Sequence, residues 1–219
     1  MKRKILAAFC ILSLCLIALG ACAREAEVEV DTIFTSLDYI SFPAVDNLSA
    51  WASHVVIAEI LDERVEFVNT FLDHPYIHPY KPFTINTIRI LEVFQGGFSA
   101  GYIREVSQLG GMVENTNLVN HDKTPLPVGS YLVLFLSDNL THVSGPLGLL
   151  NPSQSAYYLT EVIHDTNDSR GDGQYFGIMQ AYDENLLGED MVFESVSDQN
   201  PLSLTVGELM RIAEAAGNR

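Results

Sequence analysis

The sequence predicts a mainly β fold with a short helix before its first long strand and an amphipathic helix at its end. Three observations carry that expectation. Phe83 to Phe94 is a long run rich in β-branched and aromatic residues that stops at the turn signal Gln95-Gly96-Gly97. Tyr131 to Leu136 is an unbroken apolar run bounded by turn residues, as in a strand covered on both faces. Thr205-Val206-Gly207-Glu208 is a capping box, followed by Val206, Leu209, Ala213 and Ala216 at helical spacing.

In chain order, Met1-Lys2-Arg3-Lys4 precedes an apolar run from Ile5 to Leu19 and the small residues Gly20-Ala21 before Cys22. A positive n-region, a short apolar h-region and small residues at the cut are the parts of a secretory signal, so residues 1–21 read as a leader. The run falls short of the roughly 20 apolar residues that span a bilayer. Arg24 to Asp31 alternates acidic and apolar residues, and residues 22–40 read as an acidic tether or an edge strand. Fully extended, the stretch from Cys22 to Ser36 would reach about 45 Å.

A helix is expected from Pro43 to Ser53, with Leu48, Trp51, Ala52 and Val55 on its apolar side and Trp51 in the core. Strands follow at Val55–Ala58, continuing through Val65 and Phe67, then at Phe83–Phe94, ended by Gln95-Gly96-Gly97, and at Tyr102–Gln108. After the Tyr131–Leu136 strand, Ser137-Asp138-Asn139 reads as a turn into Thr141–Ser144, and further strands are expected at Tyr157–Ile163 and Tyr175–Ala181. The closing helix needs a surface to cover, and the outer face of Tyr131–Leu136 is the expected one.

Leu19-Gly20-Ala21-Cys22 resembles the lipobox of bacterial lipoproteins. That resemblance implies a diacylglyceryl group on the Cys22 sulfur, cleavage before Cys22 and a lipid anchor on the extracytoplasmic face of the cell membrane, with the outer membrane as the alternative in a Gram-negative source. Two or more acyl chains hold a protein stably where one gives only marginal binding. His54 to Ile60, then Thr84 to Gly97 with Leu91-Glu92-Val93-Phe94-Gln95-Gly96, then Pro127 to Leu136, resemble bacterial surface proteins of unassigned function and, at a distance, the netrin-type module of the tissue inhibitors of metalloproteinases. Both resemblances imply an OB-like Greek-key barrel over residues 41–150, leaving 151–219 as a C-terminal extension. The metal-chelating N-terminal cysteine of those inhibitors has no counterpart in the barrel, so the resemblance carries the fold and no functional residue.

Composition narrows the chemistry. Cys10 and Cys15 leave with the leader, so Cys22 is the only cysteine of the mature chain; intrachain disulfides, cysteine zinc clusters and thiol catalysis are excluded. Losing Lys2, Arg3 and Lys4 leaves nine basic against 28 acidic residues, a formal charge of −19. Such a surface opposes nucleic acid, which needs basic side chains to displace counterions, and favours cationic partners or divalent ions.

Two loops invite a ligand. Phe71 to Pro82 holds His74, Tyr76, His78 and Tyr80. Pro75 and Pro79 oppose a helix, and an extended path separates the two histidines by about 12 Å, too far for one ion. The loop reads first as a stiff proline-rich connection. Read as a site, these four residues form a candidate contact surface for an extracytoplasmic protein or glycan, on the loop between the first two strands, where OB-like barrels bind ligands. Asp165 to Gly173 resembles a calcium loop that would use Asp165, Asn167, Asp168 and Asp172. Counted from Asp165, glycine falls at the seventh position rather than the sixth and Phe176 stands where the closing glutamate belongs, so the segment reads first as a hairpin loop. Arg170-Gly171-Asp172 within it is an adhesion-like tripeptide.

No nucleophile elbow, zinc-binding histidine helix or phosphate-cradling glycine loop is present in the sequence, and His54, His121, His142 and His164 are scattered. The expected function is therefore a lipid-anchored, extracytoplasmic, non-enzymatic binding module. The alternatives are an extracytoplasmic enzyme, cation-dependent or not, and a structural envelope protein.

Overall fold

A computed structural model describes residues 30–69, 80–138, 146–159 and 177–218. Residues 31–218 belong to one compact unit. Eleven strands and three helices are present among the described residues: β1 (Asp31–Thr35), α1 (Val45–Trp51), β2 (His54–Asn69), β3 (Tyr80–Gln95), β4 (Ile103–Leu109), β5 (Gly111–Val113), β6 (Thr116–Asn120), β7 (Tyr131–Ser137), β8 (Leu147–Leu149), β9 (Ala156–Tyr158), α2 (Ile178–Asp183), β10 (Val192–Ser195), β11 (Leu204–Thr205) and α3 (Val206–Ala215). Among them no helix is long and apolar enough to cross a membrane.

Five strands close a ring. β2 pairs antiparallel with β3 and with β7, β3 with β4, β4 runs parallel to β8, and β8 returns antiparallel to β7. With the ring strands numbered in chain order, the circuit is first, second, third, fifth, fourth and back to the first, and only the third and fifth are parallel. This is an OB-like barrel. Closure removes the open edges that would otherwise template aggregation.

The two halves of β7 have different neighbours on the side away from β2. Leu132 to Leu134 pair with β9, whereas Leu136 and Ser137 pair with β8. The sheet therefore forks at β7: one branch closes the barrel and the other continues through β9, β10 and β11. Alternation along β7 serves both branches. Leu132, Leu134 and Leu136 fill the barrel with Val56, Ile60, Ile88 and Ile90, while Val133 and Phe135 point into a second core with Phe42, Leu48, Phe94, Tyr157 and Leu209. The expectation that both faces of Tyr131–Leu136 are covered is met, and the outer one is covered by Phe42 and the Val45–Trp51 helix together with the C-terminal segment.

The early helix forms as expected, but Trp51 is 63 % exposed rather than core. The buried stripe of α1 is Val45, Leu48 and Ser49, and at 100° per residue Trp51 falls well to the side of it, tilted against the Phe42 ring at 6.3 Å. Gln95 at the end of β3 donates to the carbonyls of Ser49 and Ala52, satisfying the C-terminal end of α1.

The capping box is formed in α3: Thr205 Oγ1 accepts from the Glu208 N–H and the Glu208 carboxylate accepts from the Thr205 N–H. Its buried side is Val206, Leu209, Met210, Ile212 and Ala213, while Ala216 is exposed. The nearest ring strand to α3 is β3 rather than β7, although Leu209 reaches the same core as Val133 and Phe135.

Tyr157 is fully buried, and its hydroxyl has no hydrogen-bond partner among the described residues. Burial pushes the phenol up to about 12, the Glu208 charge adds to this, and the Asn200 side chain, near but outside hydrogen-bond geometry, opposes it. The unfolded chain then ionises first, so stability present below pH 10 is lost as pH rises through 12, by about 2–3 kcal/mol in all. Tyr157→Phe is expected to match or exceed the wild type at pH 7 and to lose about 1 kcal/mol less between pH 8 and 11. Urea midpoints at the three pH values check this; parallel losses would refute it.

Candidate functional site

β2 and β3 are 16 residues each and stay paired to their last residues, Asn69 opposite Tyr80. β7 accompanies β2 over His54 to Glu59, β4 accompanies β3 from Arg89 to Phe83, and the Gly110 N–H donates to the Pro82 carbonyl. Only the end of the hairpin, Val68 and Asn69 with Tyr80 and Lys81, therefore runs past the ring strands as a short arm. Bulges interrupt the β2–β3 register at Val55/Val56, Ile57/Ala58 and Ile60/Asp62 and re-aim the arm. Directly opposed residues share a face, which puts Val65 with Thr84 and Phe67 with Pro82. Tyr80 lies on that same face beyond Pro82 and is 61 % exposed.

Of the four residues expected to form the contact surface, the structure places Tyr80. His74, Tyr76 and His78 lie outside the described residues, as do Cys22 and the loop with Asp165, Asn167, Asp168 and Asp172. Phe67 is the aromatic that the sequence reading passed over. Its signal was the alternation with Glu66 already used to assign the strand.

The barrel interior becomes polar towards the arm. Thr84 and Asn86 are fully buried on the inward face of β3. Thr84 Oγ1 donates to the Gly110 carbonyl at 2.8 Å and accepts from Lys123 Nζ at 2.7 Å. Asn86 Nδ2 donates to Glu63 and to the Leu126 carbonyl, leaving its Oδ1 without a partner among the described residues. Gln108 exchanges two hydrogen bonds with the Thr124 main chain, and Thr124 Oγ1 reaches the Pro152 carbonyl. Burial lowers the Lys123 amine below its ordinary value, against the pull of Glu63. Most of this network joins side chains to main-chain groups of irregular segments, which is the chemistry of a sealed barrel end rather than of a reaction centre.

At the opposite mouth, His54 stacks on Phe98 at 3.9 Å, and the Arg104 guanidinium lies 4.9 Å from the other ring's centre, that of Phe98. His54 Nε2 donates to Asp138 at 3.1 Å. A His–Asp pair invites an acid–base reading, but Nδ1, where a nucleophile would have to bond, faces Gly96: a Cβ there would lie 2.2 Å from it. The pair fastens the start of β2 to the end of β7. This use of His54 and of Gly96 depends on strand ends that meet only in the fold.

Residues 178–181 are helical, which overturns the strand expected through Ala181. Glu92 on β3 decides this: its carboxylate accepts from the N–H groups of Ile178 and Met179 at 2.7 and 2.8 Å. Between α2 and α3 runs a groove of about 420 Å³ lined by Tyr182, Glu189, Glu208, Arg211 and Glu214. Tyr182 donates to Glu189, and Arg211 reaches Asp46 and Glu208. Among the described residues, no three His, Cys, Asp or Glu side chains are grouped to hold a metal ion. No protein-family model matches this chain, and no curated protein matches it in sequence.

Proposed function

We propose that this chain is a lipid-anchored, extracytoplasmic, non-enzymatic binding module, held at the membrane through Cys22 and meeting a protein or glycan through the loop at the end of the β2–β3 arm. The observation that carries the reading is the end of the hairpin: β2 and β3 stay paired past the last residues of β4 and β7, up to the exposed Tyr80, with Phe67 on the same face. Surface loops on a rigid scaffold carry function, and the loop between the first two strands is a ligand-binding position of this barrel class. An aromatic ring at such a tip offers a stacking surface for a sugar or an apolar anchor for a protein. The likeness to bacterial lipoproteins and, more distantly, to the netrin-type module belongs to the same proposal.

Two measurements test it. Cys22→Ser is expected to abolish labelling by a fatty-acid probe and to release the domain from membranes; retained labelling refutes the anchor. Crosslinking on intact cells is expected to capture a partner with the wild type and to lose it when His74, Tyr76, His78 and Tyr80 are replaced together by alanine. Equal capture by that variant refutes the contact surface.

A further inference from the structure

β1 lies at the edge of a three-stranded sheet in the order β1, β6, β5, and among the described residues it pairs only with β6. The pairing is parallel, so alternate residues turn both main-chain groups to the same neighbour. The Asp31 N–H donates to the Asn115 carbonyl at 2.8 Å, and the Thr35 carbonyl accepts from His121 N at 3.1 Å. Residues 31, 33 and 35 therefore face β6, while Thr32 and Phe34 turn their N–H and C=O groups to the open side.

Natural sheets blunt such an edge with proline, lysine, a bulge or a cover. β1 has no proline and no lysine, and its register with β6 is unbroken. It shows apolar side chains instead: Phe34 is 67 % exposed and Ile33 is 47 % exposed.

Charge selects the occupant. The three strands hold no lysine or arginine, and acids flank both ends of β1: Asp31 and Glu114 at its start, Asp122 at its end. Asp122 accepts from the Leu37 N–H. Lys123, the nearest cation in sequence, is turned inward to the Thr84 hydroxyl. A second copy of this chain would bring like charges together on a chain already at −16. Phe34 stacks on His121 at 5.9 Å, 12° from parallel, and its exposed ring is a platform for a cation.

We propose that the free edge of β1 receives an extended basic segment of a partner protein as an added strand, with a cationic side chain over Phe34. Main-chain bonds to Thr32 and Phe34 supply the pairing, and the flanking acids select the charge. This goes beyond the binding role of the β2–β3 arm and uses none of its residues, so either proposal fails alone.

The test uses the full chain in detergent and two fluorescent peptides, one alternating valine with arginine, the other with glutamate in place of arginine. The arginine peptide is expected to bind, more weakly as salt is raised, and the glutamate peptide not to bind. Thr32→Pro removes the outward N–H and spares the ladder to β6; it is expected to weaken the arginine peptide about tenfold or more. Should Thr32→Pro not fold, Asp31→Lys with Glu114→Lys is expected to reverse the peptide preference. The proposal is overturned if the two peptides bind alike, if neither binds, if the folded Thr32→Pro protein binds as the wild type does, or if the charge-reversed variant keeps the original preference. Self-association of the wild type that Thr32→Pro abolishes would also overturn it, by assigning the edge to a second copy.

Discussion

Glu92→Leu is expected to cost about 3 kcal/mol and to free α2 from the barrel. The Glu92 side chain is only 8 % exposed and stands on the outward face of β3, opposite Ile57, where the second core begins. Its carboxylate receives two main-chain N–H groups that a helix start leaves without internal partners. Hydrogen bonds to a charged group contribute about 1.5–3 kcal/mol each and are not additive. Leucine supplies no acceptor, and the Ile178 N–H stays buried. Hydrogen exchange over residues 177–183 should rise towards that of an open segment, and the urea midpoint should fall. Glu92→Gln retains a single acceptor oxygen and is expected to lose about half as much. Unchanged protection of Ile178 and Met179 in Glu92→Leu would show that packing alone holds α2.

Gln154→Leu should have an effect as large, at the other end of the second core. Gln154 is 1 % exposed and acts as a one-residue strand. Its Oε1 accepts from the Phe42 N–H at 2.9 Å, and its Nε2 donates to the Phe42 carbonyl at 3.0 Å. Asn151 Nδ2 donates to the same Oε1 and to the Ile40 carbonyl. Leucine nearly preserves the volume but strands the N–H and C=O of Phe42 and one bond of Asn151. At about 1–3 kcal/mol for each buried unpaired group, the expected loss is about 3–5 kcal/mol. For a chain of this size that lowers the thermal midpoint by about 10 °C. The approach of Phe42 to α1 should loosen with it, seen as faster exchange at Val45 to Leu48. A shift of less than 2 °C would mean that these groups find other partners.

These two side chains mark the limit of what was legible beforehand. Four of the five ring strands were readable because each announces itself locally: Ile88 and Ile90 alternate with Thr87 and Arg89, and the run through Leu132 to Leu136 allows no wet face. The fifth, Leu147–Leu149, is too short to show a period and was found only in the fold. The α3 cap was readable because Thr205 and Glu208 are three residues apart. Trp51 misled because an aromatic at nearly helical spacing was counted into the stripe, when Val45, Leu48 and Ser49 set its direction. Residues 178–181 misled because nothing near them in sequence signals a helix start; the cap is Glu92, 86 residues upstream. Within the candidate surface, Tyr80 was identified as an aromatic of a proline-rich loop, and its pairing partner and facing neighbour came from the ladder.

The sequence by itself determined the mainly β class, the inward and outward faces of the central strands and the final helix cap. Period two and a three-residue cap are properties of neighbours along the chain. Only the tertiary structure decided how the ring closes, that the sheet forks at β7 so that the C-terminal segment shares its core, that α2 exists, and that among the described residues the outer edge of β1 has no pairing strand. Each of these depends on a partner tens of residues to more than a hundred away, as Gln154 and Phe42 are across 112. A strand's own residues say which faces are apolar, but its main-chain groups are alike at every position, so its neighbours and its free edges appear only once the whole chain has folded.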